Sequence, residues 1–176
     1  GCDAVCQVEP YHQCTGTPSV CGCGPYRSGA GCTTCVVFVA ADQVPPNPDG
    51  RTWATAFREL QPAIDAAAAN GPGCEVWVKQ GTYFLFRGSA LDTILLRSGL
   101  AVYGGFAGTE SQRSDRDPAS RMTVLDGTDG SGVADRNVAH VLTASQVQGV
   151  LLDGFTVTGG HSSFVIGPLE GGGGLV

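Results

Sequence analysis

Lysine is almost missing from this chain: Lys79 is the only one, charged residues make up 15% of the sequence, and the net charge is −6. Without a basic face there is nothing to neutralise a phosphate backbone, which excludes nucleic acid as a natural partner. No run comes near the ~20 consecutive apolar residues of a membrane-spanning helix, and no signal-peptide pattern is visible in the sequence. The 27 glycines lack the three-residue period of collagen and stand beside a hydrophobic share of 42%, so they read as turns in an ordered fold.

Cysteine is present in force, and unevenly. Cys2, Cys6, Cys14, Cys21, Cys23, Cys32 and Cys35 precede residue 36, and the eighth is Cys74. Such density in a short segment points to disulfides and an oxidising compartment, hence to a secreted or cell-surface chain. Seven cysteines cannot all pair among themselves, so full pairing requires a bridge from one of them to Cys74; the remaining connectivity stays open. The rival reading is zinc, because Cys21-Gly22-Cys23 and Cys32-Thr33-Thr34-Cys35 supply close thiolates with His12 nearby. Gly1-Cys2 has the look of a lipoprotein cleavage site, but processing there would leave the cysteine first.

Three regions follow. Residues 1–35 have no apolar periodicity and need cross-links to hold together. Residues 36–74 open with a β-branched strand at Val36-Val37-Phe38-Val39. Thr52 then caps a short helical turn, and a helix has Pro62 in its first turn and ends at Asn70-Gly71-Pro72-Gly73. Leu60, Ile64, Ala67 and Ala68 give that helix one apolar face. Residues 75–176 contain short apolar runs punctuated by Gly81, Gly105, Gly127 and Gly154, at spacings of 24, 22 and 27 residues. A near-constant spacing in the twenties predicts stacked β coils, with Val76, Val78, Val102, Val124, Leu152 and Val157 pointing inward.

Trp53-Ala54-Thr55-Ala56-Phe57, Leu60 to Ala67, and Glu75-Val76-Trp77-Val78-Lys79-Gln80-Gly81-Thr82-Tyr83 follow one another at short distances. Together with Tyr103-Gly104-Gly105-Phe106 and Val124-Leu125-Asp126-Gly127, this resembles the N-terminal part of bacterial surface proteins with right-handed parallel β-helix repeats, of the pectin-lyase-like class. The resemblance covers roughly residues 36–176. It implies an all-β solenoid whose open N-terminal end is covered by the helix around Ile64. It is weak for function, since such folds serve adhesins, fibres and polysaccharide-cleaving enzymes alike.

Catalysis would require clustered acids. Asp126 and Asp153 each precede a glycine, and equivalent places on successive coils would stack their carboxylates roughly 5 Å apart; a carboxylate bonding its own tight turn explains an Asp-Gly pair with no chemistry at all. Asp115, Asp117, Asp126 and Asp129 are conceivable calcium ligands without a recognised loop motif. Glu110, Arg113, Asp115, Arg116, Asp117 and Arg121 alternate in sign and read as solvated ion pairs. His140 reads as a hydrogen-bonded structural residue, and His161 as a loop residue, because Gly159-Gly160-His161 lacks the order and the basic partner of the polygalacturonase motif. The resulting expectation is a secreted structural or adhesive module, not an enzyme, with no cofactor. It would self-associate head to tail through the end at Gly171 to Val176 or contact surface proteins and glycans. The alternative is the front of a polysaccharide-degrading enzyme.

Overall fold

The computed structural model describes residues 12–15, 20–23, 25–28, 32 and 34–161. The strands in chain order are β1 (His12–Thr15), β2 (Val20–Cys23), β3 (Arg27–Ser28), β4 (Thr34–Val39), β5 (Cys74–Lys79), β6 (Gly81–Phe84), β7 (Ile94–Leu95), β8 (Ala101–Phe106), β9 (Thr123–Asp126), β10 (Leu142–Thr143), β11 (Leu151–Asp153) and β12 (Phe155–Thr158). Among the described residues one α-helix, α1 (Leu60–Ala69), lies between β4 and β5, preceded by a short 3-10 turn at Trp53–Thr55.

The expected all-β parallel β-helix is corrected by this arrangement. The fold is mixed α/β, with short strands in parallel and mixed sheets and a ten-residue helix built into the main core. A five-stranded sheet runs β11-β8-β5-β4-β3, antiparallel at β3–β4 and parallel elsewhere. A parallel three-stranded sheet runs β12-β9-β6, and β10 pairs with β7. The glycine spacing that predicted coils does not track the pairing. Val36 pairs with Glu75, Glu75 with Ala101 and Ala101 with Leu151, at unequal intervals. Gly81 opens a strand, Gly105 lies inside one, Gly127 follows one, and Gly154 separates two.

Gly105 shows what such a glycine does here. It has φ +90°, and a Cβ on it would lie 2.7 Å from Pro118 Cα. Only glycine fits a left-handed residue that close to another backbone. The same point carries the register shift between β5 and β8: Trp77 faces Tyr103, but Lys79 faces Phe106. One extra residue in β8 makes the bulge.

Period-2 alternation sorts the five-stranded sheet into two rows. Val37, Val76 and Val102 are register partners with no exposed surface and face α1 and the other sheets. Phe38, Trp77 and Tyr103 form the opposite row, where Trp53 and Phe106 close an aromatic cluster; Trp77 stacks on Phe106 with centroids 4.8 Å apart. On β9 the expected alternation is off by one: Thr123 and Leu125 are buried, whereas Val124 is half-buried. A one-residue slip exchanges the faces of a strand. Leu152 is only half-buried and Val157 is exposed, because β11 and β12 are the end strands of their sheets.

The helix buries Leu60, Ala63, Ile64 and Ala67, so Ala63 takes the place assigned to Ala68. Gln61 turns to the edge of β7, where its Oε1 accepts from Leu95 N at 2.8 Å and its Nε2 donates to Leu95 O at 3.4 Å. One side-chain amide thus satisfies a strand edge that would otherwise be free. At the other end, Asn70 Nδ2 donates to Ala66 O, and Arg27 donates to Asn70 O at 2.8 Å. A cation there suits the negative end of the helix dipole.

The bridge required by cysteine parity joins Cys35 to Cys74, which are register partners at the start of β4 and β5 and are both buried. A second joins Cys23 to Cys32. With three of their four sulfurs oxidised, the two close cysteine pairs are not a zinc thiolate set. Bridges expected at Cys2, Cys6, Cys14 and Cys21 fall outside what is described for these side chains, and Gly171 to Val176 lie outside the described residues.

Candidate functional site: a groove beside the helix

The sequence-derived acids do not converge. Asp126 lies on β9 opposite Phe84 and Thr158, whereas Asp153 lies on β11 opposite Tyr103. They belong to different sheets, so no stacked dyad forms. Asp126 accepts from Thr128 N at 2.9 Å, the turn bond that explains an Asp-Gly pair without chemistry. Asp153 pairs with Arg116. Among the described residues no three His, Cys, Asp or Glu side chains gather as metal ligands. Asp117 is held by Ser120 and the N–H of Ala119, and lies below the ordinary carboxylate range through the Ser120 hydroxyl and N–H. Ser131 and Arg136 hold Asp129 down to about 2. Asp115 offers its carbonyl to Arg121. His161 is exposed in a loop, as expected. His140 differs: its Nδ1 is buried with no hydrogen-bond partner.

The loop from Gly108 to Arg121 is also more than solvated charge. Glu110 is buried, and its carboxylate accepts from Ala107 N (2.6 Å), Gly108 N (2.9 Å) and Thr109 N (3.0 Å) as well as from Arg121 (3.0 Å). Arg113 and Arg116 lie on the Tyr103 ring at 4.9 Å each while pairing with Glu75 and Asp153. On this face the aromatics are largely buried, and the recess of about 610 Å³ beside Glu75, Arg113 and Arg116 is lined by cations that are already paired.

A different region remains available. A groove of about 580 Å³ is lined by Arg58 to Gln61 at the start of α1, by Thr82 to Leu85 on and after β6, and by Arg87 and Leu91 to Leu95. Its walls expose apolar side chains: Leu91 is 83% accessible, Leu95 41% and Phe84 37%. Tyr83 contributes a neutral phenol, because burial raises its pKa; the hydroxyl donates to Lys79 O and accepts from Ala41 N. Arg87 pairs with Glu59 at 3.3 Å, and Asp92 accepts from Arg87 N and Ser89 N.

Arg58 is the exception. Of the ten lysines and arginines, all among the described residues, eight form ion pairs and Arg27 donates to carbonyls. Arg58 is exposed on the groove wall and makes no hydrogen bond or ion pair with any described residue. Sequence reasoning missed this groove; the signals it offered were an Arg-Glu pair just before an apolar helix and Leu91 inside a polar loop. Comparison with protein-family models, with curated proteins and with solved structures finds no match to this chain.

Proposed function

We propose that the chain is an extracellular or cell-surface structural or adhesive module that works by holding another molecule and not by transforming one. The observation that carries this reading is Arg58, the unpaired guanidinium on a groove that also exposes Leu91, Leu95 and Phe84. Uncommitted charge beside exposed apolar surface is the mark of a contact surface. The two disulfides among the described residues fit an oxidising compartment, and no helix among those residues is long and apolar enough to cross a membrane.

Head-to-tail assembly is not part of this reading, because the surfaces it would join, the N-terminal segment and the end at Gly171 to Val176, lie largely outside the described residues. Nor does an observation favour a polysaccharide-degrading enzyme, since its two candidate acids sit on different sheets. The test pairs an array of extracellular proteins and glycans with a cleavage assay on uronic-acid polysaccharides, with and without calcium. Retention without cleavage is expected. Cleavage of any polymer would overturn the reading.

A further inference from the structure

The groove carries a third feature, in its backbone. β6 is the end strand of its sheet and pairs only with β9. Gly81 N donates to Met122 O and Leu85 N to Asp126 O, so in a parallel ladder the odd-numbered residues face β9. The N–H and C=O groups of Thr82 and Phe84 therefore face away from it. Neither residue has a further bond to any described residue. Both line the groove.

We propose that the groove takes an extended, apolar peptide segment bearing a carboxylate, added as a strand along the free edge of β6 with the carboxylate against Arg58. The assignment rests on the binding-module reading and names its partner class. Each part of the ligand follows from one feature. The free edge asks for a strand, because main-chain groups are what an unpaired ladder edge recognises. Exposed Phe84, Leu91 and Leu95 ask for apolar side chains, which in a strand fall on alternate positions of one face. The lone guanidinium asks for a carboxylate, which it can hold in a two-point bond.

Charge complementarity favours an acid over a base. Glu59 is paired with Arg87 and the Asp92 carboxylate accepts from the N–H groups of Arg87 and Ser89, so Arg58 is the one charged side chain of the groove without a partner among the described residues. A glycan fits less well, since the strand edge presents evenly spaced main-chain donors and acceptors that a peptide backbone matches in register.

The test uses the whole chain, labelled with nitrogen-15, and synthetic octapeptides alternating valine with glutamate. Controls replace glutamate with lysine or N-methylate the valine amides. The glutamate peptide is expected to shift the Thr82, Phe84 and Leu91 amides, and both controls to bind at least tenfold more weakly. Arg58→Gln is expected to cost about tenfold in affinity for the glutamate peptide and nothing for the lysine one. Amides at Thr82 and Phe84 that do not move, or equal binding of the N-methylated peptide, would overturn the strand assignment; equal binding of the lysine peptide would overturn the role of Arg58. Those results leave the binding-module reading standing if arrayed partners are still retained, whereas polymer cleavage removes that reading itself.

Discussion

Replacing Glu110 by glutamine tests whether a buried carboxylate organises the loop that follows β8. Oε1 accepts from Ala107 N and Arg121, and Oε2 from Gly108 N and Thr109 N. An amide has the same shape but only one oxygen, so in either orientation two donors meet an NH2 group. Losing two charge-assisted bonds at about 1.5–3 kcal/mol each, partly recovered by small shifts, gives an expected loss of roughly 3 kcal/mol. The pH dependence supplies an internal control. Burial pushes the Glu110 carboxyl up, but the N–H groups of Ala107, Thr109, Glu110 itself and Gly108 outweigh it and hold the group below its ordinary value. The folded state then binds fewer protons than the unfolded one between the two pKa values. This stability is fully present above the unfolded value of about 4.3 and is lost as pH falls through the folded one. Urea unfolding followed by tryptophan fluorescence reads it directly, since Trp53 Nε1 donates to the Glu110 carbonyl at 2.9 Å. The gap between wild type and Glu110→Gln should be widest at neutral pH and narrow in acid. A loss below about 1 kcal/mol at neutral pH, or a gap unchanged by acid, refutes the reasoning.

Two further substitutions probe the frame. Changing Cys35 and Cys74 together to alanine opens a crosslink with a sequence separation of 39, and loop-closure entropy sets the loss at about 4 kcal/mol. Guanidinium unfolding without reductant measures it, and an unchanged midpoint would show that the bridge contributes nothing. Ile64→Asp places an unpaired carboxylate at a site with no exposed surface and should cost at least about 4 kcal/mol, against about 1 for Ile64→Val. Equal thermal midpoints for the two would mean that α1 does not seal the core.

The fold was legible where local chemistry decides it. Thr52 caps its turn by accepting from Thr55 N, the helix stops at Asn70, and parity alone demanded the Cys74 bridge. The strands at Val36 to Val39, Val76 to Val78 and Val102 to Phe106 stand where β-branched and aromatic runs predict them. The misreadings arose one level up, in register and assembly. Gly81, Gly105, Gly127 and Gly154 are evenly spaced by number yet serve a strand start, a bulge, a post-strand turn and a corner. A glycine reports that a backbone needs freedom, not which turn it belongs to. On β9, Val124 and Leu125 are equally apolar neighbours, and only the pairing of Leu125 with Tyr83 and Val157 decides which of them faces the core.

The groove was illegible for a related reason. An unpaired cation is a remainder, defined only after the other cations have found their partners, and most of those partners are distant in sequence: Arg87 takes Glu59, Arg97 takes Asp65, and Arg113 takes Glu75. Nothing in the letters Phe57-Arg58-Glu59 says that Glu59 turns to Arg87 and leaves Arg58 alone. The same holds for the strand edges. Gln61 satisfies Leu95 across 34 residues, while one strand earlier Thr82 and Phe84 have no such partner, and alternation alone cannot tell a satisfied edge from a free one. What the sequence does limit is the number of charges: with only ten lysines and arginines, nine of them matched to an acid or a carbonyl, a single leftover guanidinium is selective in a way it would not be on a lysine-rich surface. The scarcity of cations that argued against a nucleic-acid partner at the outset is therefore what gives Arg58 its significance.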